Sequence, residues 1–318
     1  MKTKETLQKI KVSKLIVLFL FIFPFLSSCS GLVSKRNSII KRKSAQKKKG
    51  SFFIKKYAEI LPLFNSSPIG GSLLATYATE SLRLKMIKSG KFIFKPELRD
   101  SLLSSKQVLT SGGGRWPVIL KKAQDHQLNT IVYGEIKDAF VRKKIDSMGL
   151  AKEVFLLAGV KIEIRIIDVE AEIEIGKHEI ESFVEDKSFE VVGLESKTII
   201  EKRNALLNRA IELAMPKAIG LITQNQSAKS WVGRIAKIEG KDIYINAGKR
   251  NGLKLGDILK VVLNGKKVFD PKTGAYLGKS KGTIKATVEV IDFFGANGSI
   301  TKIHSGGQPL VGDKVMLY

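Results

Sequence analysis

Apolar residues are spaced in three different ways along this chain, and each spacing predicts a different kind of element. Leu15 to Leu26 is an uncharged run of twelve residues, shorter than the ~20 that a membrane-spanning helix needs. Between Tyr57 and Thr223, buried-strand runs, helical spacing and strict alternation succeed one another. Tyr57–Phe64 reads as a buried strand, ended by the turn-forming Asn65-Ser66-Ser67-Pro68. Gly71–Lys88 carries Leu73, Leu74, Tyr77, Leu82, Leu84 and Met86 at helical positions, with Ser89-Gly90 as its stop. Phe92-Ile93-Phe94 is a second strand, and Pro96 opens a short helix over Glu97–Ser104. The loop Ser111-Gly112-Gly113-Gly114 precedes a helix near Pro117–His126, and Asn129–Ile136 is a third strand. Val160, Ile162, Ile164 and Ile166 alternate with Lys161, Glu163 and Arg165, a period of two with one wet face. Ile173 and Ile175 resume it, so a hairpin turn falls at Asp168–Ala171 or at Gly176. A long helix over Glu195–Thr223 closes this region, with Pro216 expected to kink it or to start a second segment.

Past the polar stretch Gln224-Asn225-Gln226-Ser227 the helical period disappears, and residues 230–318 become short strands separated by glycine turns. A faint repeat runs through them. Gly233-Arg234-Ile235 leads to Leu255-Gly256-Asp257, and Gly282-Thr283-Ile284 leads to Val311-Gly312-Asp313. The expected fold is therefore α+β: a mixed α/β-sheet domain over 51–228, then a small all-β, barrel-like domain over 229–318 made of two similar halves. Gly248, Gly252 and Gly256 recur every fourth residue, as in a tight connection where backbone approaches backbone.

Charge changes the picture at the N-terminus. The net charge is +25, and eight lysines and arginines with no acid lie between Cys29 and Gly50. Such a block repels itself and buries little, so residues 29–50 are expected to be a disordered basic tether. Against anionic headgroups each charge contributes about 1 kcal/mol. Nucleic acid is not an expected partner, because basic charge without a recognition motif is a weak footprint.

Lys2, Lys4, Lys9, Lys11 and Lys14 precede the apolar run, and Leu26-Ser27-Ser28-Cys29 follows from its end. This pattern resembles a bacterial lipoprotein signal, with 1–28 as the signal peptide and cleavage before Cys29. The resemblance implies a lipid on Cys29, palmitate included. Cys29 is the single cysteine of the chain, so no intramolecular disulfide and no cysteine-based zinc site can form. Ser30, rather than aspartate, follows it, which in this family implies the periplasmic face of the outer membrane.

The C-terminal region carries Ile245-Asn246-Ala247-Gly248, Gly252-Leu253, Gly256-Asp257, and Asp270-Pro271-Lys272-Thr273-Gly274 with Leu277-Gly278. It resembles the C-terminal domain of flagellar assembly protein T, a periplasmic component of the ring around certain flagellar motors. ILPLFNSS from Ile60, NTIVYGEI from Asn129 and VKIEIRIIDVE from Val160 resemble the CsgG-like α/β domain of curli-secretion lipoproteins. The chain departs from flagellar assembly protein T in its lipidation signal.

Candidate chemistry is sparse. His126, His178 and His304 are scattered without ligand spacing, and no Gly-x-Ser-x-Gly elbow occurs. Ile69-Gly70-Gly71-Ser72 opens a helix but lacks the lysine of a phosphate-binding loop. Glu172, Glu174, Glu179, Glu181, Glu185 and Asp186 form an acidic stretch without a cation-binding loop. The expectation is a non-enzyme with no cofactor, no metal and no catalytic residue. It would be an outer-membrane-anchored assembly scaffold whose partners are envelope or flagellar ring proteins and, in a ring, further copies of itself. The alternatives are a CsgG-like secretion-channel subunit and a peptidoglycan-associated accessory protein. The channel would need a lipid-facing apolar row of about 9–11 residues, against which the eight residues Val160–Ile167 read better as packed sheet.

Overall fold

The computed structural model describes residues 54–95, 98, 102, 105–110, 115–146, 153–186 and 196–318. The signal run, Cys29 and the basic segment lie outside these residues, as do most of the expected Glu97–Ser104 helix and the Ser111–Gly114 loop. Phe53–Tyr318 form one compact unit.

Its first half is a mixed sheet. Strand β1 (Lys56–Ile60) is buried throughout. It pairs in parallel with β3 (Phe92–Ile93) on one side and with β4 (Thr130–Asp146) on the other. Strands β4, β5 (Glu153–Asp168) and β6 (Ile173–Asp186) then form an antiparallel meander. The Tyr57–Phe64 run is two strands rather than one. Pro62 has no N–H to donate, and the next donor, Leu63 N, goes to Thr79 Oγ1 at 2.9 Å. The chain rejoins β4 only at β2 (Phe64–Asn65). Strand β4 also runs ten residues past Ile136, because Lys137, Arg142 and Lys143 hide its alternation.

Helices α1 (Gly71–Lys88) and α4 (Ser196–Ser227) cover one face. Leu74, Ala78, Leu82 and Met86 of α1, and Leu207, Ala210, Ile211, Ala214 and Ala218 of α4, pack on Val132, Ile136, Val160, Ile162, Ile164, Ile166 and Ile180. The alternating row Val160–Ile166 is thus core beneath helices. Short helices α2 (Ser105–Thr110) and α3 (Trp116–Asp125) belong to the other face, where Val108, Ile119 and Ala123 cluster with Tyr57, Leu61, Ile131, Tyr133 and Ile167. Helix α4 continues through Pro216. Ala214, Met215 and Ala218 are fully buried around that proline, so packing carries the element past the lost donor. The stretch Gln224–Ser227, which reads as a linker, is the last turn of α4.

The second half is a closed antiparallel barrel of β7 (Val232–Glu239), β8 (Asp242–Ile245), β9 (Ile258–Val262), β12 (Ile284–Phe294), β13 (Gly298–Gly306) and β14 (Lys314–Leu317), with the hairpin β10 (Lys267–Phe269) and β11 (Tyr276–Lys279) beside it. The circular order is β12-β13-β8-β7-β14-β9. Exchanging β7 with β12, β8 with β13 and β9 with β14 regenerates the same six pairings. Each half is a hairpin, a turn and a third strand.

The two turns match bond for bond. Lys254 N donates to Asp257 Oδ2 at 2.7 Å, and Leu310 N to Asp313 Oδ2 at 2.8 Å. Gly256 N and Asp257 O bond Val290, while Gly312 N and Asp313 O bond Ile235, all at 2.8–2.9 Å. Gly256 and Gly312 have φ of +82° and +89°, which only glycine adopts readily. The expected repeat is present with its register corrected: Ile235 corresponds to Val290 and not to Ile284. Gly282 instead lies where a side chain would strike Leu263 O, at the return from the β10–β11 hairpin. Asp257→Ala is expected to cost about 1 kcal/mol. Asp313→Ala should cost more, because Asp313 also holds Lys285 Nζ at 3.0 Å; urea midpoints of the two variants check the order.

Candidate functional site

The loop before α1 is braced by its own backbone and Asn65. Gly70 sits at φ +80° as the N-cap without a side-chain cap, and a Cβ there would meet Leu74 at 2.7 Å. Asn65 Nδ2 braces the loop from Ile69 O and Gly71 O, each at 2.9 Å. Ser72 is exposed. The histidines lie apart: His126 caps the end of α3, His178 Nε2 is 2.8 Å from Asn225 Nδ2, and His304 is 3.9 Å from Glu289. Among the described residues no group of three or more His, Cys, Asp or Glu side chains could hold a metal ion.

The acidic stretch is divided between two tasks. On the sheet surface Glu179 and Glu181 pair with Lys161 at 2.9 and 3.3 Å. Beside them Glu163 accepts from Arg165 Nε at 2.6 Å and lies 3.3 Å from Lys177. Burial pushes the Glu163 carboxyl up, but Arg165, Lys137 and Lys177 outweigh it and hold it below the usual range. The wet face of the alternating strand is therefore a charge lattice.

Glu170 and Glu172 do something else. They sit on the tight turn Val169–Glu172 between β5 and β6, which Asp168 Oδ1 closes by accepting from Glu170 N and Ala171 N at 3.0 Å. The barrel half grips this tip. Lys279 Nζ reaches Glu172 Oε1 at 2.7 Å and Glu170 O at 3.1 Å, and Lys267 Nζ reaches Glu172 Oε2 at 2.9 Å. Tyr276 Oη donates to Ala171 O at 2.8 Å, and Lys314 pairs with Glu170. From the sheet side Gln124 Nε2 donates to Glu172 Oε1 at 3.1 Å. Burial raises the Glu172 pKa, yet hydrogen bonds from Lys279, Lys267 and Gln124 prevail and hold it at about 2. Glu172 also has φ of +59°, which costs a non-glycine residue about 1–3 kcal/mol.

A second attachment lies at β1. Lys56 Nζ donates to Gln226 O at 2.5 Å and Lys229 O at 2.6 Å, satisfying carbonyls at the end of α4. Burial pulls its pKa down to about 8. Lys55 N donates to Asn251 O at 2.8 Å, and Asn129 Nδ2 to Val232 O at 3.0 Å. Sheet and barrel thus act as one body. Of the two turn positions that the sequence allows, Asp168–Ala171 and Gly176, the first is the one observed; the lysines that grip it come from 95 or more residues later and leave no local signal.

The β10–β11 hairpin, turned by Asp270-Pro271-Lys272-Thr273-Gly274, presents Val268, Phe269 and Leu277 to solvent. Asp270 Oδ1 accepts from Lys272 N and Thr273 N at 2.9 and 2.8 Å, and these bonds hold its carboxyl below the usual range. Gly248 is a close approach as expected, since a Cβ there would lie 2.7 Å from Gly298 N.

No family model and no curated protein sequence matches the chain. Among solved structures, the hypothetical protein CT253 of Chlamydia trachomatis is similar at 15% identity and a TM-score of 0.35, over 54% of this chain and 99% of that one. Lipoprotein GNA1162 of Neisseria meningitidis is similar at 11% identity and 0.26, over 48% and 96%. The LpoB C-terminal domain of Escherichia coli is similar at 12% identity and 0.25, over 43% and 91%. At these TM-scores the likenesses assign neither function nor partner to this chain.

Proposed function

We propose that this chain is a non-catalytic envelope lipoprotein, anchored through Cys29 at the periplasmic face of the outer membrane, whose sheet-and-barrel body is an assembly scaffold in a flagellar basal-body ring. One observation carries the anchor: the only cysteine of the chain stands directly after a lysine-led apolar run and Leu26-Ser27-Ser28. The scaffold reading draws support from the two attachments that lock barrel to sheet, which suit a part that bears contacts, and from the apolar side chains on the β10–β11 hairpin. The ring assignment rests on the C-terminal motifs set out above.

Cys29→Ala is expected to move the chain from the membrane to the soluble fraction and to abolish its labelling with a palmitate analogue. Unchanged fractionation with unchanged labelling would refute the anchor. Electron cryotomography of motors in a deletion strain tests the ring: the expected result is missing density near the outer membrane, and intact motors with normal swimming would reject it.

A further inference from the structure

A cleft of about 560 Å³ opens where the start of β1, the end of α1, strand β3 and the turn over Lys249–Asn251 meet, and Lys55, Arg83, Ile87, Phe92, Phe94 and Arg250 line it. Its volume is that of a small-molecule site. Three of these six side chains are cationic. No acidic side chain is among its lining residues, and Glu59, bonded to Arg83 Nη2, is buried. Lys55 and Arg250 therefore give the cleft an excess of two positive charges.

Arg83 is the unusual member. Its side chain is nine-tenths buried, it stacks 5.2 Å from the Phe94 ring, and its Nε has no hydrogen-bond partner. A buried guanidinium donor left unpaired costs about 1–3 kcal/mol, and the Arg83 side chain is also part of the cleft lining. Three of the last four carbonyls of α1 are taken, Lys85 O by Ser89 N, Ile87 O by Gly90 N and Met86 O by Ser89 Oγ, at 2.6–3.0 Å, which weakens the repulsion of an anion by the helix end. The floor of Ile87, Phe92 and Phe94 is apolar.

We propose that this cleft binds a phosphate-bearing ligand with an apolar portion, its phosphate held by Lys55, Arg250 and the Arg83 guanidinium and its apolar portion lying on Phe92 and Phe94. Two charges match a phosphate monoester, and arginine suits its planar, multidentate recognition. The site draws residues from both halves of the body, so the attachments at Lys55 and Asn251 also set the spacing of its cations.

The full-length chain in non-ionic detergent, at about 150 mM salt to screen its general positive charge, is titrated with phenyl phosphate and with inorganic pyrophosphate. Saturable one-to-one binding is expected, weakened at least tenfold by Arg250→Ala and by Lys55→Ala. Lys241→Ala and Lys302→Ala, which remove the same charge from a separate cleft on the barrel, should leave it within twofold. Absence of saturable binding by both probes, or equal weakening by all four variants, would overturn the site. Repeating the phenyl phosphate titration with the chain in phosphatidylcholine vesicles containing phosphatidic acid separates the sources. Binding lost in these vesicles, and retained at equal charge when oleate replaces phosphatidic acid, assigns the site to a lipid headgroup; binding retained in both assigns it to a soluble phosphate compound.

Discussion

Arg83→Leu is expected to lower the free energy of unfolding by about 3–5 kcal/mol, the cost of leaving one member of a buried ion pair without its mate. Glu59 is 1% exposed, and its Oε1 accepts both from Arg83 and from Ile60 N. Without the guanidinium a carboxylate that is all but excluded from water would lose its charged hydrogen-bond donor. Pairing the change with Glu59→Leu should restore most of the loss, since two apolar residues of similar volume replace the pair without a stranded charge. Urea midpoints provide the measurement: a large shift in Arg83→Leu with an unchanged slope, and a small one in the double variant. A single-variant loss under 1 kcal/mol would show that the pair is solvated.

Acidification is expected to loosen the grip of the barrel on the β5–β6 turn. The folded Glu172 carboxyl titrates near 2 instead of 4.5, so its contribution is fully present above about pH 4.5 and is lost as pH falls toward 2. The shift corresponds to about 3 kcal/mol at most, for a side chain 17% exposed. Glu172→Gln keeps the shape and removes the charge. Its stability should fall less than the parent's between pH 4.5 and 2, and the two curves should converge at the acid end. Parallel curves across that window would show that Glu172 is not held by Lys267 and Lys279.

Local pattern located most elements. The helix over Gly71–Lys88 is legible in the spacing of Leu74, Leu82 and Met86 and in the Ser89-Gly90 stop, and its bounds are those observed. Val160–Ile166 is legible as a strand because alternation is a local signal. The extension of β4 is not, since its outer half is charged and its partner, β5, begins only at Glu153. Strand β2 is a similar case: one proline and one hydroxyl on another helix decide where β1 stops. The repeat in the barrel was visible in its turns, where glycine and aspartate are obligatory, and invisible in its strands, where any apolar residue serves.

Site residues followed the same division. Asp168 and the Asp-Pro-Lys-Thr-Gly turn act on their own backbone neighbours and so leave a local signature. Lys279 on Glu172, and Arg250 across from Arg83, meet through the closure of the whole fold, which no spacing along the chain encodes. The acidic stretch illustrates the limit: its residues are adjacent in sequence, yet Glu172 grips the barrel while Glu179 faces solvent.

The self-mapping of the barrel pairings has a consequence for its origin. A half-length chain, one hairpin followed by one strand, would close the same six-stranded ring by joining a second copy of itself. The C-terminal barrel of this protein has the connectivity of a homodimer fused end to end. After such a fusion each copy is free to diverge wherever geometry allows, and the two keep the same residues where geometry is strictest: glycine at the hairpin turns, Gly240 and Gly295 with φ of +58° and +60°, and the Gly-Asp pairs of the two aspartate turns. The β10–β11 hairpin lies at the junction of the two copies, and it carries Lys267 and Lys279, two of the contacts that fasten the barrel to the sheet.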